Sequence, residues 1–571
     1  MSNKDLQHFI KQLENLGQLQ IIDVNVSPEL EITEIADRVS KSNGKALLFT
    51  NVKNSKYPVL INAMGSYERM SLGLGAKNLD DIGSELEKYL NLENYLSIKK
   101  LFKSIPRLLR LLYVFPIKSL FKGTCQEVVE RDVNLNTIPV LKCWPEDAGR
   151  FITLPLVFTK ESDSKKQNVG MYRMQILDET TTGMHWHKHK DGSEIYKGYK
   201  NKKQKMPVSV ALGCDPAITY SSTAPLPKMI DEMMLAGYLR KSNVKMVKCI
   251  TNDIYVPADA EIILEGYVDT EEDLVLEGPF GDHTGYYSLA DYYPKFHVTC
   301  ITHKKNAVYP TTIVGKPPME DCYMAKATER IFLPMLKMVM PELIDLNLPF
   351  EGVFHNLAIV SINNKYQGCA QKIMNSIWGM GQMMYTKLIV VVDENVDVQN
   401  LQQVKDAVLN NVEINNLVFS QGPLDALDHS SNEALFGYRL GVDATSKKLL
   451  SDNKNNGQTE IKNSYHIISI DKNSPNQGKE ALKEFMKNHQ DKFVIVVDSV
   501  SPKNLSIVMW KLFNNIDANR DLIFMDGKIG VDATKKLKEE GLTRDWPKDI
   551  EMSEEIKQYV NERWNEYGID D

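Results

Sequence analysis

The spacing of apolar positions divides the chain into three stretches of different character. Between residues 4 and 18, Leu6, Phe9, Ile10, Leu13 and Leu16 recur at helical spacing on one face, and Gly17 supplies a stop. Residues 18–24 then read as a strand, 29–40 as a helix, and 46–50 and 59–63 as short apolar strands, which predicts an α/β layer. From about 125 to 315 short strands dominate (151–159, 170–177, 207–212, 261–268 and 297–303), punctuated by Gly, Pro and Asp. One helix interrupts them, with Pro227 at its start and Gly237 near its end. This pattern predicts a β-rich, barrel-like domain. After about 320 the α/β pattern returns, with helices over 325–340 and 368–384 and strands over 357–362 and 388–393. The last strand is wholly apolar until Asp393, as a strand buried on both faces must be.

This final stretch repeats itself. Leu388-Ile-Val-Val-Val-Asp393 recurs as Phe493-Val-Ile-Val-Val-Asp498, and Gly441-Val-Asp-Ala-Thr445 as Gly530-Val-Asp-Ala-Thr534. Two matches in the same order predict an internal duplication of one α/β module, over 388–445 and 493–534. The polar stretch 451–463 reads as an exposed connector. The helix predicted over 553–564 would dock a neighbouring subunit or cap its own domain. The predicted organisation is therefore a mixed α+β chain: an N-terminal α/β domain over 1–124, a central β-barrel domain over 125–320, and a C-terminal α/β domain over 321–571.

Composition narrows the class. The balance of 43% hydrophobic and 25% charged residues is that of an ordinary globular protein, and a net charge of −7 gives no electrostatic case for nucleic acid. The cysteines are odd in number, scattered, and never spaced CxxC, which argues for reduced thiols in a cytoplasm and against a thiolate zinc site. The N-terminus has no apolar leader pattern and no run is long enough to span a bilayer, so a cytoplasmic location is expected. Residues 101–122 mix leucines and aromatics with Lys and Arg, the composition of a segment that can lie on anionic lipid. Pro106 and Pro116 break it into short pieces, so a packed connector or lid is the competing expectation.

The chemistry concentrates in two segments. Asn168-Val-Gly-Met-Tyr-Arg173 is followed by His185-Trp-His187-Lys-His189. On a strand the three histidines would share one face, a metal-binding arrangement, although surface histidines beside lysines have the same look. A hard divalent ion needs oxygen ligands as well, which Asn168 and Glu232 can supply. The second segment, Glu277-Gly-Pro-Phe-Gly-Asp282-His283-Thr-Gly, is an irregular loop carrying two carboxylates. Brought together in a pocket they would shift each other's pKa and keep one protonated near neutrality, as a proton donor requires. Alternatively they cap a turn and form a salt bridge, with Arg173 as a fixed partner.

Together with 207–213 and 256–266, these segments resemble the UbiD family, and most closely its 3-octaprenyl-4-hydroxybenzoate carboxy-lyase branch. The likeness runs from about 5 to 445 and again near 526–565. It implies reversible decarboxylation of an aromatic or conjugated acid with prenylated FMN, on a fold of N-terminal α/β domain, central split β-barrel like that of flavin reductases, and C-terminal α/β domain. It further implies that Asn168, His189 and Glu232 bind a divalent metal, usually Mn²⁺, with K⁺ as a second candidate ion. Met171, Tyr172, Arg173, His185, Trp186, His187, Lys190, Asp191 and Lys387 would contact the cofactor. Arg173, Glu277 and Asp282 would form the catalytic set. Asp282 is similar to the quinone-biosynthesis branch, where a prenylated hydroxybenzoate or a naphthoate is the substrate; cinnamate-type members carry glutamate there. A flavin prenyltransferase as cofactor supplier, a homo-oligomer and peripheral membrane contact complete the expectation. Lys190-Asp191-Gly192 departs from the basic residue and two glycines usual after the metal histidine, and the second module is an insertion relative to shorter members.

Two other classes compete. The His185/His187/His189 run could hold zinc in a metallohydrolase, drawing further ligands from His283, His297 or His303. A non-enzymatic scaffold built on the duplicated module would need neither metal nor flavin.

Overall fold

In this computed structural model residues 3–91, 104–105, 107–187, 191–446 and 461–569 are described. The chain divides into two compact units, Met1–Thr328 with Asp549–Asp571, and Glu329–Lys548.

The first unit begins with the helix Leu6–Asn15, whose first turn is capped by the Asp5 carboxylate accepting from His8 N at 2.8 Å. Leu6, Phe9, Ile10 and Leu13 are buried, as their spacing requires, whereas Leu16 caps the helix and is exposed. A sheet in the order Leu19–Ile22, Ala46–Phe49, Val59–Ile61, Tyr309–Pro310 flanks this helix and Glu31–Lys41. Its last strand comes from beyond the central region, so the first layer is closed by chain some 250 residues downstream. The tail helix Glu554–Arg563 returns to Glu31–Lys41: Arg38 donates to Lys557 O at 3.1 Å, Tyr567 donates to Glu31 at 2.9 Å, and Arg563 pairs with Glu31. The helix therefore packs on the first unit, and does not cap the C-terminal domain over 321–571 in which the sequence reading placed it.

The central sheet is an open half-barrel of nine antiparallel strands. Eight follow the order Phe151–Ile152, Met174–Ile176, Thr181–Met184, Lys295–His303, Ile262–Val268, Met206–Leu212, Leu156–Lys160, Gln167–Met171, and Val128–Glu130 also pairs with Lys295–His303. Val157, Met174, Val208, Val210, Leu264 and Phe296 fill its interior. Several expected elements are divided. The strand over 151–159 is split before Pro155-adjacent Leu156, because proline has no N–H for the ladder. The strand over 170–177 breaks at Tyr172 and Arg173, and that over the histidines ends at Met184. The helix near 227 starts at Glu232, with Asp231 as its cap, and Gly237 lies inside it. A Cβ at Gly237 would stand 2.5 Å from Val114 O, so this glycine permits close packing and does not stop the helix.

The helix expected at 325 begins at Glu320, in the first unit, and runs to Val339, in the second. The helix over 368–384 is two pieces, Cys369–Trp378 and the 3-10 turn Gly381–Tyr385, broken where Gly381 takes φ +48°. The sheets Leu357–Ile362, Leu388–Asp393, Phe436–Asp443, Leu417–Pro423 and Lys462–Ile470, Asp491–Asp498, Lys528–Asp532, Leu522–Met525 have the same order and the same strand senses. The repeat therefore begins one strand earlier than the sequence match, at 357 and 462. Thr445 on Asp443 and Thr534 on Asp532 make identical turns, each threonine donating from N and Oγ1 to one carboxylate oxygen. The expected connector 451–463 lies outside the described residues up to 460.

Candidate active site

The break between Gln167–Met171 and Met174–Ile176 is what frees Arg173 from the sheet. Its guanidinium meets a loop more than a hundred residues away. Nε donates to Glu277 Oε1 at 2.8 Å and Nη2 to Glu277 Oε2 at 3.1 Å, a bidentate fork. Nη1 pairs with Asp282, and Nη2 also donates to Ser288 Oγ at 3.2 Å. The Phe280 ring lies 4.7 Å beneath the guanidinium carbon, a cation–π contact that fixes its plane.

Loop geometry brings the two carboxylates to one cation. Glu277 ends the strand Val275–Glu277, and Gly278 turns the chain at φ +88°, a conformation side chains disfavour. Gly278 N donates to Gln175 Oε1 at 2.9 Å and Gly281 N to Asp147 Oδ1 at 2.7 Å. A Cβ at Gly281 would meet Trp144 at 2.4 Å, so only glycine allows the loop to seat there.

The electrostatics differ from the sequence expectation. Burial alone would raise the Glu277 carboxyl, but hydrogen bonds from His185 and Arg173 hold it down at about 2. Asp282 is likewise held well below the usual carboxylate range: burial opposes, and His283 and Arg173 prevail. Both acids are therefore ionised at rest. The expectation that one stays protonated near neutrality fails because the shared arginine outweighs their mutual repulsion. Burial and then Arg173 lower the His185 pKa, so this imidazole is neutral. Its Nδ1 lies 2.9 Å from Glu277 Oε2 and must donate, which leaves Nε2 to accept from His187 Nε2 at 3.1 Å. Tyr293 packs against His185 at 4.3 Å. Two further acids nearby are raised by burial, Asp147 to about 7 and Asp321 to about 6.

A second group lies on the same strand. Asn168 Nδ2 donates to Glu232 Oε1 at 3.1 Å, while Asn168 Oδ1 is buried and accepts no hydrogen bond. Burial raises Glu232 to about 7, and among the described residues no lysine or arginine is within ion-pair reach of it. An orphaned amide oxygen beside an uncompensated carboxylate is a donor set that suits a hard divalent cation. His189 and Lys190 lie outside the described residues, and among those described no three His, Cys, Asp or Glu side chains form a ready cluster.

The remaining sequence candidates are distributed around these groups. Met171 and Tyr172 adjoin Arg173, and Tyr172 OH accepts from Gly192 N at 3.4 Å. Trp186 is buried with its indole N–H unpartnered. Asp191 begins the helix Asp191–Asn201 and faces Lys228 at 4.0 Å. Lys387 belongs to the second unit, where it is buried against Asp428 at 2.6 Å and donates to Ser430 Oγ at 2.7 Å. The strand ends at Met184, before the histidines; His185 and His187 still meet through their Nε2 atoms at 3.1 Å, and His189 lies outside the described residues. His297 and His303 are engaged elsewhere, by Glu272 at 2.5 Å and Glu130 at 3.1 Å, so they do not converge on a zinc site. Sequence reasoning missed Asp147, Ser288 and Tyr293. Pro145 two residues before Asp147 signals a turn, but nothing local marks its partner Gly281.

Comparison with known proteins agrees along the whole chain. Models of the 3-octaprenyl-4-hydroxybenzoate carboxy-lyase N-terminal domain, Rift-related domain and C-terminal domain match residues 10–86, 118–317, and 322–444 with 461–537. An uncharacterized protein of Aquifex aeolicus is 40% identical over 571 residues, covering 99% of both chains. One from Archaeoglobus fulgidus is 48% identical over 450 residues, 78% of this chain and 92% of its own. Among solved structures, the closed form of vanillic acid decarboxylase from Sedimentibacter hydroxybenzoicus is 26% identical with a TM-score of 0.69, covering 86% of this chain and 100% of its own. The UbiD-class enzyme HmfF from Pelotomaculum thermopropionicum, in complex with FMN, shares the fold at 23% identity and a TM-score of 0.68, over 79% of this chain and 98% of its own.

Proposed function

Because the chain belongs to the UbiD family of carboxy-lyases, we propose that it removes CO₂ from an aromatic carboxylic acid with Arg173, Glu277 and Asp282 as its catalytic set. The observation that carries this reading is the single guanidinium shared by two buried acids from one loop.

The proposed cofactor is prenylated FMN with Mn²⁺. Asn168 and Glu232 would hold the metal, with His189 as third ligand and K⁺ as a second ion. Tyr172, His187 and the free Trp186 N–H would face the flavin. When bound, the flavin supplies the electron sink that carboxylate loss from an aromatic ring requires. The protein's share is charge and proton control. Glu277 grips Arg173 through two bonds and stays with it. Asp282 holds only Nη1, the position an incoming substrate carboxylate can contest. Once the substrate takes Nη1, Asp282 loses its counter-charge while remaining buried, its pKa rises, and it takes up a proton through His283, whose Nδ1 is 2.9 Å away. The balance is then complete: the C–C bond to the carboxylate breaks, CO₂ leaves, and the proton on Asp282 ends on the ring carbon.

For the substrate, we favour a prenylated hydroxybenzoate or a naphthoate of quinone biosynthesis, with a flavin prenyltransferase as supplier and a closed homo-oligomer as the working form. Aromatic acids are what the vanillic acid decarboxylase among the structural relatives acts on. The test is Asp282→Asn, co-expressed with a flavin prenyltransferase and assayed for CO₂ release and bound flavin. Flavin should stay bound while turnover falls about 10²- to 10⁴-fold, the range of a lost general acid. Unchanged turnover removes Asp282 from the mechanism.

A further inference from the structure

We propose that residues 107–122 form a docking surface for an anionic lipid bilayer. Between Glu93 and Glu127 the sequence holds seven lysines and arginines and no Asp or Glu, within a chain of net charge −7. In the same stretch Leu109, Leu112, Phe115, Ile117, Leu120 and Phe121 are all exposed, Leu120 at 98% and Phe121 at 84%. Contiguous exposed apolar surface on this scale marks a contact site.

The exposure is a property of the fold, because the backbone is pinned. Ile117 N donates to Val244 O and Ser119 N to Met246 O, both at 2.8 Å. The Asn243 amide donates to Leu112 O at 3.1 Å and Phe115 O at 2.8 Å. Behind the segment, Leu86, Tyr89, Leu108, Leu111 and Tyr238 line an open apolar cleft of about 400 Å³. Cations surround the apolar residues: Arg110, Lys118 and Lys122 are all exposed. Arg110 shares Glu85 at 3.5 Å with Lys241, and Lys118 lies 4.3 Å over the Tyr255 ring, where it still faces solvent.

Charge selects the occupant. A symmetric contact between two copies would set this net-cationic surface against itself, bringing like charges together as it dehydrates them. An anionic membrane offers the opposite charge and an apolar interior at once, and each Lys or Arg near such a surface contributes about 1 kcal/mol. Among the described residues no helix is long and apolar enough to cross a membrane, so the contact is peripheral. Pro116 and Lys118 also line a cavity of about 170 Å³ together with Asn168 and Asp231, so the docked face abuts the proposed metal pair.

This inference does not rest on the decarboxylase reading, and its test reads binding only. The full-length protein is floated with vesicles of phosphatidylcholine alone or mixed with phosphatidylglycerol, and native mass spectrometry reports the oligomer. Binding should require phosphatidylglycerol and weaken as salt is raised. The pair Lys118→Glu with Lys122→Glu should weaken it at least about tenfold, and Leu120→Ser with Phe121→Ser by a similar factor. Circular dichroism confirms that each variant is folded. Absence of binding, or equal binding to both vesicle types, overturns the proposal. So does a Leu120/Phe121 variant that binds vesicles normally but falls to a smaller oligomer, which would assign the face to a second copy of the chain.

Discussion

Two of the buried charge clusters are built differently. In the half-barrel, Arg173 holds Glu277 and Asp282 through side chains that retain about a tenth of their exposure at Arg173 and Asp282. In the second α/β module, Lys536 pairs with Asp532 at 3.3 Å and Asp521 at 3.8 Å, and all three side chains are fully enclosed. The Lys536 ammonium also donates to Asp532 O at 2.9 Å and Thr534 O at 2.6 Å, while Arg520 clamps Asp521 with two bonds of 2.8 Å. That cluster is local in sequence, fully enclosed, and closed to any competitor. The Arg173 cluster draws its acids from over a hundred residues away and leaves one guanidinium edge that a substrate carboxylate can contest. The difference separates a charge group that fixes a fold from one that can change partners.

The comparison is most sharply tested by replacing the cation of each cluster. Arg173→Lys loses the planar fork, and turnover should fall by about 10³-fold, the scale of a lost transition-state donor, with a melting temperature close to the parent's. Lys536→Met should do the reverse, destabilising by about 3–5 kcal/mol through the uncompensated buried acids and leaving turnover per folded molecule unchanged. Calorimetry beside a steady-state assay separates the two. A large loss of turnover from Lys536→Met with no loss of stability would end the distinction.

Acid provides the next test. Glu277 has its folded pKa depressed to about 2. Its stabilisation is therefore present above the unfolded value of about 4.3 and is lost as pH falls through the folded value. Denaturant unfolding of the parent should weaken progressively from about pH 4.3 toward 2, and Glu277→Gln should flatten that slope. Equal slopes would mean that the Arg173 cluster does not hold Glu277 in its charged form.

The smallest expected effect is at Ser288. Its hydroxyl accepts one bond from Arg173, so Ser288→Ala should cost about 1 kcal/mol, read as roughly a fivefold rise in KM with kcat little altered. A loss confined to kcat would mean that Ser288 touches the reacting atoms.

Much of the architecture was legible in the linear pattern. The helices Leu6–Asn15 and Glu31–Lys41 follow from apolar spacing, and the repeat from two matched segments. The repeat's true start was missed although Ile359-Val-Ser-Ile362 and Ile467-Ile-Ser-Ile470 match in sequence as well as in place, because a four-residue apolar match is too short to stand out without the sheets. Near the site the pattern misled. Alternation over His185 to His189 suggested a continuous strand, but the ladder with Lys295–His303 and Met174–Ile176 has run out by Met184. Nor did the pattern show that Lys387, which the resemblance pointed to as a cofactor contact, pairs with Asp428.

By itself the sequence determined the class of most segments, the duplication and the residue types that carry the chemistry, because periodicity and short motifs depend on neighbours within a few positions. Only the tertiary structure decided that Glu277 and Asp282 share Arg173, that both acids are ionised, that His185 is the neutral donor to Glu277, and that Asn168 keeps a buried oxygen free. Those facts depend on which distant groups meet and how much water is excluded where they do. Desolvation and charge pairing act through space, so no local pattern along the chain records them.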